Sequence, residues 1–149
     1  MFLLLLGSVK LSVAQDSIQS LIDSRDLVFV AQRVSPMRGT VRHLTSYYHL
    51  RLSGDTLAAD LPFFGRAYSA PMHPDDAGIR FRTTDFEMNV KRRKNRWQIQ
   101  FDPQDAQDVN AVFLTVHENG TATLRISSNR RQAISFQGFV KKNDGATSF

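Results

Sequence analysis

The stretch VNAVFLTVHENGTATLRISS, residues 109–128, carries the strongest fold signal in the sequence. Two apolar runs flank Asn119-Gly120, and Asn-Gly supplies the two positive-φ positions of a tight type I′ hairpin turn. Residues 111–116 are apolar at odd and even positions alike, which is typical of a central strand or of one covered by a helix. The stretch therefore predicts a β-hairpin whose first strand lies inside a sheet.

The same two-residue alternation of apolar and polar side chains extends upstream to Leu27. Gly54-Asp55 predicts a turn between two of these runs, and Ser35-Pro36 ends the first run. Eight or nine short strands joined by hairpin-length turns predict an all-β domain, an antiparallel meander closed into a small barrel or a sandwich. Its inward-facing side chains should include those of Leu50, Leu52, Leu57, Ala59, Leu61, Ile79, Phe81, Phe86, Met88, Val90, Trp97, Ile99, Phe101, Ile134, Phe136 and Val140.

One short N-terminal helix precedes the strands. Asp16 is a suitable N-cap residue, and Gln19 three positions later can reach back to it. The apolar face of this helix comprises Ile18, Leu21 and Ile22. We therefore predict a helix from residue 17 to about residue 24 that packs against an open end or a face of the barrel.

The first 15 residues, MFLLLLGSVKLSVAQ, resemble a secretory signal, because an apolar run is followed by small residues. We predict a signal peptide over residues 1–14, cleaved after Ala14, and one all-β domain over residues 15–149. A buried helix or strand is the alternative interpretation of this segment, which is too short to span a bilayer. Export predicts a periplasmic or secreted protein that does not span the membrane.

The composition excludes several classes of protein. With 149 residues, 42% of them hydrophobic and 22% charged, the chain fits one globular domain. The absence of cysteine excludes disulfides, thiolate metal sites and cysteine nucleophiles. Removal of Lys10 with the signal lowers the 19 basic residues to 18, against 14 acidic ones. That surplus is too small to predict a nucleic-acid partner.

No motif of a common catalytic class is present. The sequence lacks a nucleophile elbow, a phosphate-binding loop, a dinucleotide-binding glycine motif and a zinc-protease helix motif. Of the histidines, His49 lies on the polar side of its strand and His117 beside the Asn-Gly turn, so both should be solvated; the others are His43 and His73. We predict a protein that is not an enzyme, with no catalytic residue, metal or cofactor.

Two acidic loops come nearest to a metal or catalytic site. The segment Met72-His73-Pro74-Asp75-Asp76 offers one imidazole and two carboxylates, whereas a metal site needs three or four ligands with supporting contacts. The second loop, with Asp102, Asp105 and Asp108, lacks the alternating spacing of a calcium loop. Both are predicted to be solvated surface loops. A hydrolase that uses His73 with Asp75 or Asp76 is the remaining enzymatic alternative.

Five cations within six residues form what we call the basic tip, comprising Lys91, Arg92, Arg93, Lys94 and Arg96. The segment falls between two predicted strands, where a hairpin tip is exposed to water and its charges discourage edge-to-edge association. Contact with a polyanion is the functional alternative, although no aromatic residue interleaves to stack on bases. The acidic loop at residues 102–108 lies at the opposite end of the intervening strand, so it should not neutralise the basic tip.

The stretch LPFFGRAYSAP, residues 61–71, allows two interpretations. Pro62 belongs at a strand end and Gly65 permits a bulge, so the stretch can be a corner that packs its phenylalanines into the core. Alternatively, the same side chains line the mouth of a barrel and bind an apolar ligand with an anionic end. The candidate ligand-binding residues are Phe63, Phe64, Arg66, Tyr68 and Arg130.

Three groups of residues resemble a known family: residues 29–36 (FVAQRVSP), residues 61–68 (LPFFGRAY), and ENG at 118–120 together with SNRRQ at 128–132. In order and spacing they are similar to the domain of unknown function 4251 family of exported bacterial proteins. The resemblance covers nearly the whole predicted mature chain. It implies an envelope or secreted location and a small all-β domain, and it implies no known activity.

Two functions are compatible with these observations. The first is a non-enzymatic exported domain that binds an apolar or amphiphilic ligand, such as a lipid, in or beside a β-barrel. The alternative is a structural or interaction module of the cell envelope that contacts a protein or polysaccharide through its surface, including the basic tip. A ligand-sized cavity beside Phe64, Arg66 and Tyr68 would favour the first function, and a solid interior would favour the second.

Overall fold

A computed structural model describes residues 13–36, 40–62, 78–106, 108–129 and 132–143, with the side chains of the helix described from residue 18 onward. The elements in chain order are α1 (Val13–Asp23), β1 (Asp26–Pro36), β2 (Arg42–Ser53), β3 (Thr56–Leu61), β4 (Ile79–Thr83), β5 (Phe86–Arg92), β6 (Arg96–Pro103), β7 (Ala111–His117), β8 (Thr121–Ser127) and β9 (Ile134–Lys142). Within these residues, α1 has neither the length nor the hydrophobicity needed to cross a membrane.

The nine strands form one sheet in the order β4-β3-β2-β1-β9-β8-β7-β6-β5. Every neighbouring pair is antiparallel, and the first and last strands pair from Leu27 with Lys142 to Pro36 with Ile134. This pairing of the two ends of the domain curls the meander into a nearly closed barrel. The predicted all-β class, the meander and the short N-terminal helix are confirmed.

β4 and β5 lie at opposite edges of the sheet but are separated in sequence only by Thr84 and Asp85. Eight antiparallel pairings connect them around the sheet, and an even number of reversals means that the two strands run in the same direction. They are thus two halves of one bent strand, the first paired with β3 and the second with β6. The connection at Thr84-Asp85 is therefore a bend and not a hairpin turn. An antiparallel sheet that closes on itself needs an even number of strands, which is met when β4 and β5 count as one.

Polar contacts fix the bend between β4 and β5. The Thr83 hydroxyl donates to Asp105 Oδ1 at 2.5 Å and accepts from the Asp85 backbone N–H at 2.9 Å. The Gln104 N–H donates to the Asp85 carbonyl oxygen at 2.9 Å. Asp105, predicted to be only solvated, therefore joins the end of β4 to the loop after β6.

The barrel interior is built from the predicted alternation. Trp97, Ile99 and Phe101 of β6 are buried, as are the inward side chains of β7, which lies between β6 and β8. The twelve largest fully buried side chains are Trp97, Phe29, Phe101, Phe136, Leu27, Leu50, Leu52, Leu57, Leu61, Ile99, Leu114 and Leu124. Of the positions expected inside, Val90 is instead 41% exposed, because it lies near the end of an edge strand.

The helix α1 contributes Ile18 and Ile22 to the same core. It begins at Val13, four residues before the predicted start, so the expected cap at Asp16 is wrong. Gln19, expected to reach back towards that cap, instead accepts a hydrogen bond from the Trp97 indole at 2.7 Å. The helix therefore packs on the barrel interior beside the start of β1.

The hairpin between β7 and β8 forms at Asn119-Gly120 as predicted, but not with a type I′ turn. Gly120 has a φ of 90°, whereas Asn119 is not among the described residues with positive φ. The Gly120 N–H donates to the His117 carbonyl at 2.9 Å, and residues 118–120 form a three-residue loop that ends in a left-handed glycine. The Asn119 side chain accepts from the Thr121 N–H and so stabilises this loop.

Candidate functional site

The five predicted ligand-binding residues, Phe63, Phe64, Arg66, Tyr68 and Arg130, lie outside the described residues. So do His73, Asp75 and Asp76 of the acidic loop. The structure does describe the residues that lead into the predicted ligand-binding stretch. β3 ends at Leu61, directly before Pro62, as expected for a proline that cannot donate to a strand ladder. Ligand binding by these five residues stays a prediction.

Large apolar side chains pack in the interior of the described barrel. The largest of them, Trp97, Phe29, Phe101 and Phe136, are each less than 2% exposed. One small pocket lies among Ile79, Val109, Ile126 and Ile134, with Asp108 also in its lining, and it has room for about one water molecule. A lipid-sized ligand needs several hundred Å³. This pocket, lined by described residues, is therefore far smaller than a lipid-sized ligand needs.

The basic tip is an exposed, strongly charged feature of the described barrel. β5 and β6 form a hairpin with Lys94 and Asn95 at its turn, closed by a 2.8 Å hydrogen bond from the Arg93 N–H to the Arg96 carbonyl. Residues 91–95 are exposed and Arg96 is half-buried. The acidic loop lies at the far end of β6, as predicted, so it does not neutralise this tip.

Arg92 is the best-anchored cation of the basic tip. Its guanidinium lies 4.0 Å from the centroid of the Trp97 ring, on the strand directly opposite. The indole of Trp97 in turn binds Gln19 of α1. A cation over an aromatic face is held by the ring's electrostatic quadrupole. The tip is therefore connected through Trp97 to the helix and the core.

Glu118 is a member of this site that the sequence analysis missed. Its carboxylate lies 3.8 Å from the Arg92 guanidinium, and its backbone N–H donates to the Asn95 carbonyl at 3.3 Å. Periodicity carries no signal for this contact, which depends on the pairing of β6 with β7 that brings Arg96 opposite His117, beside the Asn-Gly turn. Glu118 therefore lies beside the tip and offsets part of its positive charge.

The other cations of the basic tip remain available. Arg93 donates to the Gln98 side chain at 3.3 Å, a neutral partner that leaves its charge uncompensated. Within the described residues, Lys91, Lys94 and Arg96 form no ion pair. The tip therefore presents a net positive surface to water, in a fixed hairpin rather than on a free loop.

A second polar cluster, which we call the outer-face cluster, occupies β2, β3 and β4 on the side of the sheet away from the core. It comprises Tyr47, His49, Arg51, Asp60 and Arg80. His49 and Arg51 are only 4% and 6% exposed. Arg80 Nε donates to Asp60 Oδ1 at 3.1 Å, and the Tyr47 and His49 rings stack with centroids 4.7 Å apart.

The prediction that His49 is solvated is wrong. It does lie on the polar side of β2, but that side is also covered at this position. Burial is the main cause that lowers the pKa of His49, the nearby Arg51 charge lowers it further, and Asp60 opposes both effects. Alternation assigned the correct side of the sheet to His49, but it could not show that both sides are covered there.

These features define an all-β, nearly closed barrel with an apolar core of large buried side chains and an exposed cationic hairpin. The sequence model of the family described as "Domain of unknown function (DUF4251)" matches residues 10–140, and the chain belongs to this family. The crystal structure of a DUF4251 family protein from Bacteroides eggerthii DSM 20697 is similar, with a TM-score of 0.68 and 15% identity over 93% of this chain and 97% of that one. That likeness shows the shared fold. No curated protein matches the sequence.

Proposed function

We propose that this protein is a non-enzymatic, exported interaction module of the cell envelope that binds an anionic partner through its basic tip. The observation that carries the proposal is the exposed hairpin of five cations at the end of β5 and β6, anchored on the buried Trp97. A fixed cluster of like charges raises the local concentration of polyanions and steers their approach. The partner's chemistry is that of carboxylate or phosphate groups, as on an acidic envelope polysaccharide.

The anchoring of the tip supports a specific role for it. Trp97 and Glu118 contact Arg92, and Gln98 accepts a hydrogen bond from Arg93. These two arginines therefore lose less conformational freedom when an anion binds there. Lys94 and Arg96 then supply charges that no described carboxylate compensates. Arginine forks and lysine ammonium groups together match planar carboxylates and phosphates.

The test compares two triple variants on an immobilised acidic polysaccharide. Neutralising the tip with Arg93→Gln, Lys94→Gln and Arg96→Gln should move elution to distinctly lower salt. The matched control removes the same charge from exposed strand positions with Arg33→Gln, Arg82→Gln and Arg125→Gln. If both variants elute together, net charge alone governs binding and the tip has no special role.

Binding of an apolar or amphiphilic ligand beside the barrel is the second candidate. The small pocket between Ile79 and Ile134 supports it, because Ile79 pairs with Leu61, the residue that leads into the predicted ligand-binding stretch. Displacement of a fluorescent fatty acid by envelope lipids, lost in the Phe64→Ala/Tyr68→Ala variant, would favour this candidate. If the protein does not take up the fatty acid, binding of a partner through the basic tip is the candidate that remains.

A further inference from the structure

The outer edge of β5 is unpaired within the described sheet, because β5 bonds only to β6. The hydrogen bonds from Arg93 N–H to Arg96 and from Gln104 N–H to Asp85 fix which residues face β6. Bonded pairs recur every second residue in an antiparallel ladder, so Glu87, Asn89 and Lys91 direct their backbone groups towards β6. Phe86, Met88, Val90 and Arg92 direct theirs outward.

The sequence along this edge, FEMNVKR at 86–92, is complementary to itself when it is reversed about Asn89. In that register Glu87 lies opposite Lys91, and Met88 lies opposite Val90. The backbone groups also match across the axis, because the N–H and C=O groups of both Met88 and Val90 point away from β6. A strand that fits its own reverse is the requirement for a two-fold symmetric contact.

We propose that β5 pairs with the β5 strand of a second copy of this chain, antiparallel and with the two-fold axis at Asn89. Each Met88 then exchanges two backbone hydrogen bonds with the partner's Val90. On the outer face, Glu87 meets the partner's Lys91, and the symmetry repeats the pair. This inference does not rest on the proposed function, because it involves the strand edge and needs no ligand.

Charge and burial along β5 support a second copy as the occupant. Within the described residues, Glu87 and Lys91 are exposed and neither forms an ion pair. Opposite charges directly across an antiparallel pair stabilise it, whereas like charges destabilise it. Val90 is a 41% exposed apolar side chain that this contact would cover. The two basic tips point to opposite ends of the joined strands, which limits their mutual repulsion.

A two-fold symmetric contact also limits the size of the assembly. Once two β5 edges have joined, neither copy keeps a free β5 edge for a third, so the assembly stops at a dimer. An exposed strand edge otherwise risks open-ended association. The expected species is therefore a discrete dimer rather than a fibre.

Charge reversal tests this pairing directly, with light scattering used to measure mass against protein concentration. Glu87→Lys places lysine opposite the partner's lysine at both symmetric positions, and Lys91→Glu does the same with glutamate. Each variant alone should dimerise about tenfold or more weakly than the wild type. The double variant Glu87→Lys/Lys91→Glu should recover dimerisation.

Mixing the two single variants is the sharper experiment. Every charged cross-axis pair in the mixed dimer joins a lysine to a glutamate, so the mixture should form a heterodimer at concentrations where each variant alone is mostly monomeric. Lys94→Glu is the control, because it makes the same charge change on the same hairpin beyond the paired strand. A monomeric wild type, or a mixture that stays monomeric, would overturn the proposal.

A backbone test is independent of charge. Val90→Pro removes an N–H that points away from β6, so the β5–β6 ladder keeps its bonds while the edge loses a donor. We expect unchanged circular dichroism and loss of the dimer. A folded Val90→Pro variant that dimerises as tightly as the wild type would contradict pairing through this edge.

Discussion

The Trp97 indole N–H and the Gln19 side-chain oxygen are joined by a 2.7 Å hydrogen bond between β6 and α1. Trp97 is 1% exposed, and Arg92 lies over its ring. One buried side chain thus contacts the helix, the core and the basic tip. The helix is attached to the barrel by this polar contact as well as by its apolar face.

Replacing Gln19 should weaken this attachment. Gln19→Leu leaves the buried Trp97 N–H without its acceptor, which should lower the free energy of unfolding by about 1–3 kcal/mol. Urea denaturation followed by tryptophan fluorescence measures the change. Ser20→Ala, an exposed position on the same helix, is the control and should change stability little. Equal stability of the two variants would show that the hydrogen bond contributes nothing.

Gly138 should contribute to stability by allowing the close approach of β9 to β1. A Cβ at this position would overlap the Val30 carbonyl oxygen, where β9 and β1 approach closely beside an irregularity in their register. Gly138→Ala must therefore push the strands apart, at a cost of about 1–3 kcal/mol of unfolding free energy. Thermal denaturation measures the loss, with Ser135→Ala on the same strand as the control. An unchanged melting temperature for Gly138→Ala would contradict the close approach.

The bend between β4 and β5 should depend on the Thr83 hydroxyl. Thr83→Val keeps the shape of the side chain but removes the partner of Asp105 and of the Asp85 N–H. We expect a loss of about 1–3 kcal/mol of unfolding free energy. Thr84→Val changes the adjacent, exposed residue in the same way and should be nearly neutral. Guanidinium denaturation of both variants separates the contribution of the bend from that of general β propensity.

Stability should fall on acidification in part through His49. Its pKa is lowered in the folded protein from the usual value of 6.5, so the unfolded chain takes up a proton that the folded protein resists. The stabilising contribution of neutral His49 is complete above pH 6.5 and decreases as the pH falls towards the folded-state pKa. His49→Gln should flatten this part of the stability profile relative to the wild type.

The control for this pH dependence is Thr45→Gln, which places the same side chain at an exposed, non-titrating position on the same strand. That variant should keep the wild-type profile between pH 7.5 and about pH 5. Identical slopes for wild type and His49→Gln would show that His49 protonates equally in the folded and unfolded states.

Local sequence determined the strands of this protein and the positions of two turns. Alternation at every second residue decides which side chains share a face, so Leu50, Leu52, Trp97, Ile99 and Phe101 could be assigned to the interior without coordinates. Gly54-Asp55 and Asn119-Gly120 carry their own conformational preferences. The basic tip could likewise be placed at a hairpin, because its position depends only on the flanking strands.

Tertiary structure alone decided how the sheet closes and what surrounds the site. The pairing of β1 with β9, the bend at Thr84-Asp85, the burial of His49 and the contact of Glu118 with Arg92 join residues that are distant in sequence or depend on the whole sheet. Periodicity fixes the two sides of each strand. Periodicity cannot show which strands pair with each other or what covers the outer side of the sheet, because both depend on how all the strands come together in the barrel.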